Sequence, residues 1–287
     1  MVTIDNIDIH TAYNAIILRD GDVHLLQWPD RREPETEDWF EYSGIDVDLS
    51  DPRYQGREVE VLFYLSHDTT PTFLSALDAF YAQISAPSYR SLYLSEHGKT
   101  YRLRYLDCPD YTQRGQFSRT GKKATSLSVL FALDDPMQVI DPGVIAPTAG
   151  RQNSTYVQVD GLDLSIYGVI VQNIYNSALR MPKRKEILTR DLLSQTGIIA
   201  DAEAPVTFVG QDIIIECTML ASTREVFFQN YSALFNALNV PRAINVNLAA
   251  AGRLFRCYYV KQENFAKKHA FASGVNVSFN IVLKSVD

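Results

Sequence analysis

Three cysteines and five histidines in 287 residues are too few, and too scattered, for most metal or redox chemistry. Cys108, Cys217 and Cys257 form no CxxC pair, and an odd, widely spaced set argues against a disulfide framework or a zinc cage. Cys217 and Cys257 sit in apolar, strand-like runs and are read as buried, reduced thiols. That usage fits synthesis in a reducing compartment. His10, His24, His67, His97 and His269 never fall within four residues of one another, so no HExxH-type frame exists. His67-Asp68 and Glu96-His97 lie in expected turns, where solvent exposure is predicted.

Long hydrophobic runs are also missing. The stretches 59–65 and 213–220 are interrupted by Glu60 and Glu216 and are too short to cross a bilayer. Met1 leads straight into Ile4-Asp5-Asn6-Ile7, without the basic start and apolar centre of a signal peptide. No glycine-rich phosphate loop and no GxSxG elbow is present; Gly115 and Gly121 flank Phe117 but match no nucleotide motif. Catalytic, cofactor and metal residues are therefore expected to be absent. The chain reads as non-enzymatic, with no small-molecule substrate and no membrane partner. Its net charge of −7 argues against a general nucleic-acid binder.

What the sequence does contain is an internal repeat, the signal to seek before any fold assignment. Val2-Thr3-Ile4-Asp5-Asn6-Ile7-Asp8-Ile9 matches Val157-Gln158-Val159-Asp160-Gly161-Leu162-Asp163-Leu164. Pro29 and Arg31-Arg32-Glu33 match Pro182 and Arg184-Lys185-Glu186, 153 residues on. Val59, Val61, Phe63 and Leu65 match Ile213, Ile215, Cys217 and Met219 at an offset of 154, as Gly98 matches Gly252. The last strand is aligned as Val129, Phe131 and Leu133 on Val277, Phe279 and Ile281. This divides the chain into a first domain at 1–140, a Pro/Gly linker at 141–153 and a second domain at 154–287.

Each copy reads as mainly β with one helix. The stretches 2–9, 14–19, 59–65, 101–106 and 126–133 alternate or are rich in β-branched and aromatic residues, as half-buried strands are. The helix is predicted over 71–85, with Phe73, Leu77, Phe80 and Ile84 on one face, Thr70 as cap and Pro71 in the first turn. Its counterpart starts after Ser222 or Thr223 and stops before Pro241. Asp5, Asp8, Asp160 and Asp163 are paired carboxylates in both copies, a cation site by position at a strand end but read as ordinary turn chemistry. Arg102 and Arg256 lie in strands with Tyr101, Tyr105, Phe255 and Tyr259, an interleaving that can bind single-stranded nucleic acid. A cross-strand charge partner such as Glu58 or Asp212 is the plainer expectation.

A charged run, Asp30 to Asp38, follows Pro29. It is either a solvated hairpin tip or an arm that contacts a neighbouring subunit. On the second reading the subunit-contact residues are Arg31, Arg32, Glu33, Lys183, Arg184 and Lys185. Charge separates the copies: residues 1–150 hold 13 Lys+Arg against 23 Asp+Glu, net −10, and residues 151–287 hold 14 against 11, net +3.

Three motifs carry a family resemblance: Ile4-Asp5-Asn6-Ile7-Asp8-Ile9, Pro29-Asp30-Arg31-Arg32-Glu33 and Phe131-Ala132-Leu133-Asp134-Asp135-Pro136. With the charged hairpin, the alternating strand and the helix, they resemble the phage distal-tail and tail-tube family in a tandemly duplicated form. That resemblance implies two tandem β-barrel or sandwich domains flanked by a helix. It implies a ring or tube segment around a DNA channel, here a trimer with pseudo-sixfold symmetry. Its partners would be copies of itself and other tail proteins, with DNA only a passing cargo. Synthesis in the bacterial cytoplasm and assembly into a virion tail would follow. The chain departs from distal-tail proteins that add a different, carbohydrate-binding-like domain, since its second half repeats the first. The alternative is a two-domain β-sandwich module that binds glycan or peptide. It would require clustered exposed aromatics, with Tyr89, Tyr93, Tyr101 and Tyr105 as candidates.

Overall fold

The computed structural model describes residues 1–144, 146–148, 150–151, 153–187, 189–191, 196–200, 204–269 and 274–287. Ile145, Ala149 and Gln152 of the expected linker lie outside the described residues. The first half contains β1 (Val2–Ile4), β2 (Ile7–Asp8), α1 (Ile9–Tyr13), β3 (Ala15–Ile17), β4 (Thr36–Glu37) and β5 (Asp46–Val47). It continues with β6 (Arg57–His67), α2 (Thr70–Ser85), β7 (Arg90–Leu94), β8 (Lys99–Arg114) and β9 (Lys123–Leu133). The second half contains β10 (Val157–Val159), β11 (Leu162–Asp163), β12 (Val169–Asn173), α3 (Tyr175–Ala178), β13 (Thr189–Asp191) and β14 (Ile198–Ala200). It ends with β15 (Asp212–Ala221), α4 (Arg224–Leu238), β16 (Ile244–Leu248), β17 (Arg253–His269) and β18 (Val275–Ser285).

Two similar seven-stranded sheets result. Their orders are β2-β1-β7-β8-β9-β6-β3 and β11-β10-β16-β17-β18-β15-β12, the same plan in each half. Among the described residues both sheets are open, which corrects the expectation of a barrel. The edge strands β2 and β3 have two and three residues, too short to form a ladder that closes the sheet on itself. The long strands are fixed by alternation: Val59, Val61, Phe63 and Leu65 of β6 are buried, as are Ile213, Ile215, Cys217 and Met219 of β15. Against each sheet lies one helix, with Phe73, Leu77, Phe80 and Ile84 of α2 buried on one side. Thr69 rather than Thr70 caps α2, accepting from Thr72 N–H, and Thr223 caps α4 through Val226 N–H.

The strand register revises the alignment of the last strand. Val59 lies opposite Phe131, and its match Ile213 lies opposite Leu283. Phe131 therefore corresponds to Leu283, four residues beyond Phe279. An even slip keeps every side chain on its face, so hydrophobic alternation cannot detect it.

The two cores differ in composition. One is built wholly from the first half, with Phe63, Phe80, Tyr101 and Leu103 at its centre. The other surrounds Tyr231, Tyr259 and Phe279 of the second half, and it also contains Leu26, Trp28, Val139 and Ile140 of the first.

Candidate functional site

The residues that stand out lie along the seam between the halves. After β3 the chain makes a short 3-10 turn, Val23–Leu26, and then runs extended onto β17. Trp28 is fully buried there, with its ring centroid 4.8 Å from that of Tyr231, 5.4 Å from Phe235, 5.6 Å from Phe279 and 6.0 Å from Tyr259. Aromatic clusters of this density contribute beyond their buried area. The backbone is held as well. Trp28 N–H donates to Gln262 Oε1 at 2.9 Å, Tyr259 O–H donates to Pro29 O at 2.9 Å, and Arg31 N–H donates to Val260 O at 2.8 Å. From the first sheet, the Arg57 guanidinium donates to Gln27 O at 2.6 Å and Trp28 O at 3.1 Å. Burial pushes the Arg57 pKa down, opposed by the charge of nearby tyrosines and Asp30.

A buried charge cluster closes one end of the seam. Lys267 Nζ of β17 lies 2.6 Å from Asp22 Oδ1 and 3.3 Å from Glu96, and His97 Nε2 lies 2.9 Å from Asp22 Oδ2. His97 Nδ1 is 2.9 Å from Tyr101 Oη. Burial alone would raise the Asp22 carboxyl; hydrogen bonding and charge from His97, with Lys267, override it and hold Asp22 at about 2. His97, expected in an exposed turn, is thus buried, because its turn packs against α4: Arg224 Nη1 donates to Ser95 O at 2.8 Å. Beside the cluster opens a cleft of about 850 Å³ with Met1, Ile9, Ile16, Ser95 and Lys267 on its walls.

The hairpin β4–β5 forms the other end. Lys185 Nζ of the second half donates to Trp39 O and Gly44 O, both at 2.7 Å, and pairs with Asp38. Thr207 O–H donates to Phe40 O at 3.0 Å, and Gly44 N–H donates to Phe208 O at 2.9 Å. Of the six arm residues named from sequence, Arg31 and Lys185 are buried inside the chain, with Arg31 over the Tyr258 ring at 5.6 Å. Arg32, Glu33, Lys183 and Arg184 lie exposed. One of the two linker ends is fixed by α4, where Asn236 Nδ2 donates to Asp141 O at 3.0 Å and Val144 O at 2.8 Å.

The remaining sequence candidates are locally occupied. Asp8 accepts from His10 N–H at 2.9 Å to cap α1, and Asp163 accepts from Ser165 N–H at 2.8 Å. Asp5 and Asp160 bind Arg90 and Arg242 at 2.8 and 2.9 Å. Arg102 lies over the Tyr89 ring at 4.0 Å, and Arg256 pairs with Asp287 at 3.4 Å. The expected partners Glu58 and Asp212 sit two strands away, because β9 and β18 intervene. Tyr101 is fully buried and Tyr89 is covered by Arg102, so these tyrosines do not form an exposed cluster. No group of three or more metal-ligating side chains occurs among the described residues. Burial drives the Cys257 thiol up to about 12, so it stays protonated at neutral pH.

No protein-family model matches the chain, and no curated protein matches it. Among solved structures it is similar to the Dit protein (gp 19.1) of SPP1, described as a paradigm of the hub adsorption apparatus in phages that infect Gram-positive bacteria. The TM-score is 0.35 at 10% identity, covering 99% of this chain and 97% of that one.

Proposed function

We propose that this chain is a non-enzymatic structural component of a phage or prophage tail, made in the bacterial cytoplasm and assembled into the virion. It forms a ring or tube segment with other copies and with other tail proteins, DNA passing through the channel as cargo. Residues 1–140 and 154–287 act as two copies of one building block, so three chains supply six quasi-equivalent blocks and close as a trimer. One observation carries this reading: two sheets of the same strand order lie in one chain, and a segment of the first completes the core of the second. Such a contact between unlike faces of like units is the element from which cyclic assemblies are made. The sequence motifs that resemble distal-tail and tail-tube proteins support the same reading. Electron microscopy of the purified full chain tests it. Ring-shaped averages with three copies and six peripheral densities around a channel are expected. Averages of single, two-lobed particles at every concentration would overturn it.

A further inference from the structure

Several features of the seam recur in the second half with nothing upon them among the described residues. Trp28 is wholly buried, and its match at the Pro29–Pro182 offset is Met181, which is 76% exposed. Leu26, also wholly buried, matches Leu179, which is 52% exposed. A Cβ on Gly44 would come within 2.3 Å of Val286 O, whereas one on its match Gly197 would meet nothing within 4 Å among the described residues. A Cβ on Gly98 would lie 3.0 Å from the Arg224 guanidinium, and again one on Gly252 would meet nothing within 4 Å among the described residues. Leu26, Trp28 and Gly44 are buried against the second half and Gly98, itself exposed, is touched by Arg224, whereas all four second-half matches are exposed.

The backbone around these positions is otherwise the same. Arg31 bridges Tyr54 as Arg184 bridges Phe208. Arg32 N–H donates to Arg53 O at 2.8 Å, as Lys185 N–H donates to Thr207 O at 2.9 Å. One bond has no counterpart: Arg31 N–H donates to Val260 O, whereas Arg184 N–H has no acceptor among the described residues. Backbone donors in protein interiors are nearly always paired, so this one marks a position that is interior in the first half and open in the second.

The receiving face recurs too. Phe228, Phe235, Tyr259 and Gln262 take up the first half, and their matches 154 residues earlier are Leu74, Tyr81, Tyr105 and Cys108. These lie on α2 and β8, with Leu74 41% exposed and the other three half-buried at the margin of the first core. Arg32 matches Lys185 and is exposed, whereas Lys185 is covered by the first-half hairpin.

We propose that these two bare faces are the halves of one interface, and that a second copy of this chain occupies each. The segment 179–184 of one copy lies on α2 and β8 of the next, and hairpin β13–β14 lies over that copy's Arg32. The contact repeats the intramolecular seam and is heterologous, so it propagates head to tail and closes into a ring if the rotation permits. At each step it sets a second half of net +3 against a first half of net −10. Opposite charge favours that orientation over head-to-head contact. The proposal rests on the ring reading above and assigns its contact residues.

The full-length chain provides the test. Met181→Cys places a thiol opposite native Cys108 of the neighbouring copy, and Cys217 and Cys257 are buried. A short bis-maleimide is expected to give a ladder of covalent dimers and trimers on denaturing gels, lost when Cys108→Ser is added. Independently, Met181→Glu is expected to weaken self-association about tenfold or more, as central interface positions do. The unfolding midpoint of the dilute monomer should not move, because the side chain is exposed there. Multimers that give no ladder and ignore Met181→Glu overturn this interface while leaving the ring reading in place. A chain that is monomeric by light scattering at every concentration overturns both.

Discussion

The two halves share a strand order but not a degree of completeness. The first sheet closes its core from its own residues, with Phe63, Phe80 and Tyr101 packed around the helix α2. In the second, Trp28 and Leu26 arrive from outside and sit amid Tyr231, Phe235 and Phe279. The larger aromatic cluster and the buried Asp22–Lys267 pair therefore belong to the junction rather than to either unit. The comparison teaches that two sheets of one strand order can differ in whether matched positions, such as Trp28 and Met181, are covered within the chain.

Breaking the filled state should cost most. Trp28→Ala is expected to lower the unfolding free energy by about 3–5 kcal/mol, the usual range for a buried aromatic, while Met181→Ala changes it by less than about 0.5 kcal/mol. Urea titration of both variants measures the difference; equal effects would erase the distinction between the halves.

Asp22 comes next. Its folded carboxyl lies near 2 against an ordinary 3.8, so its ionised form stabilises the fold by about 2 kcal/mol at neutral pH. A lowered pKa gives stability that is complete above the unfolded value and is lost as pH falls through the folded one. The window therefore runs from about pH 4 down to about 2. Acid titration of Asp22→Asn should show this part of the decline flattened, and an unchanged acid limb would contradict the role assigned to the cluster.

A smaller contrast separates the glycines. Both Gly44 and Gly197 have positive φ, 86° and 97°, so alanine strains either backbone. Only Gly44 faces a carbonyl oxygen at 2.3 Å from a new Cβ. Gly44→Ala is expected to cost about 1–2 kcal/mol more than Gly197→Ala, a sum of strain and clash, measurable by thermal unfolding of the dilute chain. Smallest and symmetric are the caps: Thr69→Ala and Thr223→Ala should each cost about 1 kcal/mol. Unequal losses at these caps would mean that the halves differ even in local stability.

Much of each unit is legible in the sequence because it rests on local periodicity. Alternation located β6 and β15, helical spacing located α2 and α4, and the constant offset paired the halves. The errors lie where distant residues decide. Alternation admits an even slip, so Phe131 aligned with Phe279 instead of Leu283. A turn is predicted exposed from its composition, and Glu96 is exposed, but His97 is buried where the turn packs against α4, which no local pattern encodes. Closure into a barrel depends on the edges, and edge strands of two and three residues in the first sheet, and two and five in the second, are short beside the central strands. The site itself left one trace: a position holding Trp28 in one copy and Met181 in the other. One of only two tryptophans, missing from its matched place, signals that the two sites have different surroundings.

The most direct measurement is the mass of the full chain by light scattering across a range of concentrations, beside Met181→Glu. The account predicts a species of three times the 32.4 kDa chain, or longer arrays, for the unaltered protein, and a shift to single chains for the variant. An unaltered chain that stays at 32.4 kDa, or a trimer that the variant leaves intact, would contradict the claim that the open contact of the second half is filled by the next copy.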